Sequence, residues 1–280
     1  MFDGVIINKD NNQLTVYKNE LNSVPFRKFS SAEMDLFITI CTQMRDKGLD
    51  DVTFAFADLK KISNYASKDM KRFIKDLKGT YDRLLELKFS HKYIAQNNDS
   101  RETRFVLFSE FDINYTQENI TIKVNPTFKY ILNDITSEFT KFELQAFTNL
   151  KSSYAKTTFR LLKQFRMTGF WKIHITDFRE LLDIPESYTM SKISSFVLKS
   201  IQKELSPIFE GLTIKKIASK QQGKAIEYIE FHFKPEDDLS RDDKKTFRAG
   251  DGSYYKKNLD EFTQEEIDKT FPPSEAKKKA

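Results

Sequence analysis

Residues 170–205 read FWKIHITDFRELLDIPESYTMSKISSFVLKSIQKEL. Phe170 to Ile175 alternates large apolar and polar side chains, the period of a strand with one buried face. Thr176 to Leu182 then predicts a short helix with Asp177 in its first turn, where an acid complements the helix dipole. A turn holding Pro185-Glu186-Ser187-Tyr188 follows. Beyond it Ile193, Phe196, Val197, Ile201, Leu205 and Ile208 recur at mostly three- and four-residue spacings, the stripe of a longer helix packed on one side. Gly211 ends that region. The apolar strands Leu212 to Ala218 and Ala225 to Phe233 flank a polar tip, Ser219-Lys220-Gln221-Gln222-Gly223-Lys224, and so predict a hairpin. In front of all this, Lys151 to Met167 predicts a supporting helix with Tyr154, Leu161, Leu162 and Phe165 inward, ended by Gly169.

The same order occurs about 120 residues earlier. Val52-Thr53-Phe54-Ala55-Phe56 alternates as a strand, and Asp58-Leu59-Lys60-Lys61-Ile62 follows as a short helix. A second helix with Ser67 as its N-cap carries Met70, Phe73, Ile74, Leu77, Tyr81, Leu84 and Leu85 on one stripe. Phe89 to Ala95 and Thr103 to Tyr115 are β-rich and separated by a polar turn, and the helix Ser30 to Lys47, ended by Gly48, supplies the support. Supporting helix, strand, helix, turn, helix and hairpin is the order of a winged helix. The fold class predicted is therefore α+β, with two tandem winged-helix domains at 1–139 and 140–235 and a flexible charged C-terminal tail at 236–280. In that tail 22 of 45 residues are charged, and Thr263-Gln264-Glu265-Glu266 predicts one short helix through Phe271.

At 280 residues, 39% hydrophobic and 31% charged, the chain has the composition of two ordinary globular domains. No apolar stretch approaches the roughly 20 residues of a membrane helix, and the N-terminus shows no export signal. A single cysteine, Cys41, excludes an internal disulfide and reads as a small core residue, in keeping with a reducing cytoplasm. The net charge of +5 is unevenly spread: residues 140–235 carry 16 basic and 9 acidic side chains, and residues 60–92 carry ten and four. Two basic islands separated by neutral sequence predict two surfaces for a polyanion.

With the apolar stripes buried, the first long helix turns Lys68, Lys71, Arg72, Lys75 and Lys78 outward, a face suited to phosphates. The second presents Ser191, Lys192, Ser195, Lys199, Gln202 and Lys203, where hydroxyls and amides beside cations can meet base edges as well as phosphates. Because a recognition helix reads with its first turns, Tyr188, Ser191, Lys192 and Ser195 are placed deepest in the groove, with Lys199 or Lys203 nearer the backbone. Lys220 and Lys224 on the second hairpin, with Arg101 and Arg104 on the first, are candidates for flanking phosphates.

Catalytic and cofactor chemistry finds no constellation. His91, His174 and His232 are far apart and lack partners at metal-ligand spacing. The pair of histidines that would hold a metal beside the nicking tyrosine of a rolling-circle initiator does not occur. The one Gly-Lys pair, Gly223-Lys224, has Ala218 where a phosphate-binding loop needs glycine and Ala225 where it needs Ser or Thr. The expectation is a binding protein, with no enzymatic activity and no metal or cofactor.

Four stretches carry a resemblance: Asn19-Glu20-Leu21-Asn22; Phe29-Ser30-Ser31-Ala32-Glu33-Met34-Asp35-Leu36-Phe37; Tyr154-Ala155-Lys156-Thr157-Thr158-Phe159-Arg160-Leu161-Leu162-Lys163-Gln164-Phe165; and Phe178-Arg179-Glu180-Leu181-Leu182-Asp183-Ile184 followed by Tyr188, Phe196 and Val197-Leu198. Across residues 15–235 the chain resembles the initiator Rep proteins of theta-replicating, iteron-bearing bacterial plasmids. That resemblance implies two winged helices used on double-stranded origin repeats, the iterons, with the second domain's long helix in the major groove. It further implies that monomers bind iterons and open the origin, whereas homodimers joined through the first domain bind an operator and repress the initiator's own gene. Host initiator and replicative helicase are the implied partners, and the bacterial cytoplasm the location. The same fold would also serve a transcriptional repressor with no initiator role, which a single inverted-repeat target would distinguish from several direct repeats.

Overall fold

The computed structural model describes residues 13–23, 26, 28–86, 88–94, 100–106, 108–126, 129–135, 138–219 and 225–236. The tail beyond Glu236, with its predicted helix at 263–271, lies outside the described residues, as do Lys220, Lys224 and residues 96–99 of the predicted turn at 96–100.

The first half opens with strand β1 (Leu14–Lys18) and a 3-10 turn (Asn19–Ser23). Helix α1 (Ser31–Met44) starts where the sequence predicts. Ser30 and Glu33 form a reciprocal capping box, which satisfies backbone N–H groups that the first helical turn leaves without partners. The helix ends at Arg45, and it is Asp46, at φ 58°, that takes the left-handed conformation closing such ends, two residues before the left-handed Gly48. Strand β2 (Val52–Ala55) leads into α2 (Phe56–Ile62) and then α3 (Met70–Glu86). Hairpin β3 (Lys88–Ile94) and β4 (Ser100–Val106) is followed by a second hairpin, β5 (Phe108–Asn114) and β6 (Asn119–Val124).

The spacing in the sequence runs β4 and β5 together as one strand and does not show β6. In the structure β6 pairs with both β5 and β2, giving the order β2-β6-β5. Asn114 closes the turn, its Oδ1 accepting from the backbone N–H of Thr116 at 3.1 Å and Gln117 at 2.9 Å, a side chain imitating a backbone turn.

The chain then passes through α4 (Lys129–Leu132) to β7 (Phe139–Glu143), which runs back antiparallel to β1. Helices α5 (Leu144–Thr148) and α6 (Ser153–Gln164) precede β8 (Phe170–His174) and α7 (Ile175–Leu181). The longer helical rod comprises α8 (Met190–Lys192), a π-helical stretch (Ile193–Leu198) and α9 (Lys199–Leu205). Strands β9 (Thr213–Ala218) and β10 (Ile226–His232) complete a sheet of order β8-β10-β9. The two sheets share one topology. The counterpart of the second wing is thus β5-β6, and β3-β4 is an extra hairpin inserted after α3.

Buried apolar residues of both halves form one continuous core, with Phe37, Phe54, Phe73 and Phe108 in the first and Phe159, Phe178, Ile201 and Phe231 in the second. Cys41 lies inside it, as expected. Between α1 and α6 the contact includes a buried ion pair. Lys156, fully buried, donates to Asp35 at 2.5 Å and to the Phe147 carbonyl at 2.9 Å. Burial lifts the Asp35 carboxyl to about 7 against the pull of that ammonium, and the same burial lowers Lys156. Beside it Arg160 stacks 4.2 Å from the Phe26 ring centre. Asn22 links Tyr17, Thr140 and Gln164 through hydrogen bonds of 2.7–3.0 Å. Among the described residues no helix is long and apolar enough to cross a membrane.

Candidate nucleic-acid interface

In the first half the second helix begins at Met70, not just after Ser67. Ser67 Oγ accepts from the Asp69 N–H, and it is Asp69 that receives the Lys71 N–H, at 2.9 Å. Capping by Asp69 draws an acid into a backbone task and leaves Lys68 ahead of the helix, its carbonyl bonded by Lys60 Nζ at 2.8 Å. Lys71, Arg72, Lys75 and Lys78 are all exposed, while Phe73, Leu77, Tyr81 and Leu84 are buried. Leu85, predicted to be inside, is 47% exposed at the end of the stripe.

The nearby acids are occupied locally. Asp76 accepts from Tyr65 Oη at 2.5 Å. The tyrosine hydroxyl is pushed up to about 12, by its partial burial first and then by that carboxylate. Arg83 is turned inward onto Glu33 of α1. The first turns of α3 therefore face solvent with a row of cations, Lys71, Arg72, Lys75 and Lys78, and the exposed acids Asp82 and Glu86 follow in its last turns.

In the second half the turn between α7 and the long rod is tied at several points. Arg179 Nη2 donates to the Tyr188 carbonyl at 2.6 Å, and the Ile184 N–H reaches the Arg179 carbonyl at 2.9 Å. Asp183, which takes a positive φ of 51°, accepts from the Lys28 N–H of the first half at 3.1 Å. Thr189 then caps the rod by accepting from Lys192 N.

Within the rod the Lys199 N–H bonds the Ser194 carbonyl, five residues back. The wider π turn advances each residue by less than the roughly 100° of an α-helix, so the apolar stripe shifts. Ile193, Val197, Leu198, Ile201 and Leu205 face the core. Phe196, placed on the buried stripe by regular spacing, is instead 59% exposed.

Ser191, Lys192, Ser195, Lys199 and Lys203 all lie on the exposed side, with Tyr188 half-buried at its edge. Gln202, expected to face outward, holds the rod's end instead, donating to the Leu212 carbonyl at 2.8 Å. Sequence reasoning passes over Lys215 and Lys216. Both are exposed on β9, and Lys216 Nζ donates to Ser194 Oγ at 3.1 Å, so Lys216 extends the cationic surface of the rod while Lys215 leaves from the other face of the sheet. The adjacent Lys-Lys pair on a predicted wing strand is the signal that could have found them. Arg101 and Arg104 fall on β4, at positions whose side chains lie outside the described residues. His174 serves as the N-cap of α7, and among the described residues no group of three acids, histidines or cysteines is placed to hold a metal.

This geometry coincides with two family models. Residues 14–163 match "Initiator Replication protein, WH1" and residues 174–233 match "Initiator Rep protein, WH2". The chain belongs to the initiator Rep protein family. A relative, the "Probable replication protein rep" of Bifidobacterium longum (strain NCC 2705), is 31% identical over 214 residues, 75% of this chain and 70% of the relative. Among solved structures, the Pi initiator protein crystallised in complex with iteron DNA has the same fold. It aligns at 14% identity with a TM-score of 0.61, over 82% of this initiator and all of that chain. In this initiator the WH1 match takes in β1 through α6, so the paired strands β1 and β7 and the buried Asp35–Lys156 contact fall within one model.

Proposed function

We propose that this initiator starts plasmid replication by binding double-stranded iterons with both of its second helices. The observation that carries the reading is the repeat itself: each half presents, on the helix after its turn, an exposed row of cations backed by a mainly apolar buried stripe. Lys71, Arg72, Lys75 and Lys78 do so in one half and Lys192, Lys199 and Lys203 in the other. The solved neighbour holding iteron DNA supports the same ligand.

The two faces divide the work. Those on α3 carry charge alone and hold phosphates. The rod mixes Ser191 and Ser195 with Lys192, the donor and acceptor set that base edges in a major groove require. Lys68, ahead of α3, reaches a flanking phosphate, and the same role is proposed for Lys220 and Lys224 on the strength of the sequence alone. The segment to residue 139 is the dimerising and backbone-contacting domain and 140–235 the sequence-reading one. Monomers act on iterons, while dimers repress the initiator's own promoter, and host initiator and replicative helicase are recruited in the bacterial cytoplasm. No catalytic step is assigned to the chain.

The test is a nuclease footprint on the DNA surrounding its gene. Protection of several adjacent direct repeats is the expected result. Protection of a single inverted repeat, and nothing else, would make the protein a repressor instead.

A further inference from the structure

Phe196 stands out on the face assigned to DNA. It is 59% exposed, and its exposed neighbours are Ser195, Lys192 and Lys199. Its ring centre lies 6.1 Å from that of Tyr188, which in turn lies 5.8 Å from Lys192 Nζ. Tyr188 is half-buried and its carbonyl is held by Arg179, so the phenylalanine ring leans on a fixed support and points away from the core. The π turn is what puts it there, bringing Leu198 inward and Phe196 outward. An aromatic ring kept in water among cations needs a partner that is anionic overall and apolar at one point.

Building on the DNA-binding reading above, we propose that Phe196 is a specificity-determining residue that recognises thymine through its C5-methyl group in the major groove. Lys192, Lys199 and Lys203 on the rod, with Lys216 of β9, select a polyanion. Within a duplex, the apolar feature that the major groove displays on a base edge is the thymine methyl, which side-chain hydrogen bonds cannot read and an apolar ring can. Lys192 and Ser195 on either side supply the polar contacts that set the ring's register along the groove.

The test uses the full chain and a duplex carrying the direct repeat that it protects. Each dT is replaced in turn by dU, which removes only the methyl group and keeps the base pair, and affinities are measured by titration. Wild type is expected to lose about threefold to tenfold at one or two positions. Phe196→Ala should bind the dT duplex about as weakly as wild type binds the dU duplex, with no further loss on dU. Phe196→Leu should retain part of the discrimination. Indifference of wild type to every dU substitution would overturn the assignment, as would a Phe196→Ala protein that still distinguishes dT from dU. So would a change of oligomeric state in Phe196→Ala with dT/dU discrimination intact, which would give the ring to a second copy of the chain. Failure of wild type to bind the repeat at all would overturn the DNA reading along with this one, whereas binding without dU sensitivity removes only the thymine contact.

Discussion

At the scale of single residues, function turns on which polar groups are occupied by the fold and which are left for a ligand. Asp69, Asp76, Arg83, Arg179 and Gln202 all have internal partners. Lys71, Lys75, Lys192 and Ser195 are exposed. Substitutions there should separate two roles. Lys192→Ala and Ser195→Ala should relax sequence preference, by about 1–3 kcal/mol for each base edge left without its protein partner, while Lys71→Ala and Lys75→Ala should weaken cognate and random duplexes alike. Competition titrations with both kinds of DNA check this, and loss of preference in the α3 variants would reverse the assignment.

The buried pair gives a second residue-scale prediction. At pH 8, where Asp35 is ionised, Lys156→Met should cost about 3–5 kcal/mol because a buried carboxylate loses its partner, and the double change Asp35→Leu with Lys156→Met should recover most of that. The folded-state pKa of Asp35 is raised from 3.8 to about 7, so the folded protein takes up this proton before the unfolded chain does. Stability from this group therefore grows as pH falls from about 7 towards 4, and is lost as pH rises through that range. Lys156→Met removes the charge that favours the ionised form and steepens the slope. Its penalty should shrink between pH 8 and pH 6, and chemical denaturation across that range would show whether it does.

At the scale of elements, helix faces are legible in the sequence because burial imposes a period, and departures from the period are not. The start of α1 at Ser30, the α3 stripe from Phe73 to Leu84 and the β9-β10 wing follow from spacing and turn chemistry. Phe196 is misplaced by regular spacing because a π turn is set by how the rod packs, which spacing does not reveal. The β5-β6 hairpin escapes notice because its tip, Tyr115 to Glu118, carries no glycine, and Glu118 takes the positive φ that a glycine would have marked. The acid that caps α3 is hidden because Ser67 competes for the role two residues earlier.

Gly169 shows a glycine whose need is spatial as well as conformational. Its φ is +65°, and a Cβ there would sit 2.2 Å from the Phe233 carbonyl oxygen, which belongs to the strand end that hydrogen-bonds back to it. Gly48 has φ +66° and nothing within 4 Å of a Cβ. Gly48→Ala should then cost only the left-handed backbone penalty, about 1–2 kcal/mol, and Gly169→Ala clearly more. Equal midpoint shifts in denaturant would show that the sheet edge yields to the methyl group.

For the whole molecule, the proposed function has both cationic faces engage one duplex. Binding should therefore carry the salt dependence of six to ten phosphate contacts, a slope of log K against log salt of roughly −5 to −9. Half that slope would mean that one half alone touches DNA.

The central claim is that this chain starts replication at its own repeats. It is tested most directly by placing the origin fragment on a replicon that lacks any other initiator and supplying the chain in trans. The expected result is that the replicon is maintained with the wild-type chain, is lost without it, and is lost again when Lys192 and Ser195 are both changed to Ala. Maintenance in the absence of the chain, or loss in the presence of wild type that occupies every repeat, would contradict it.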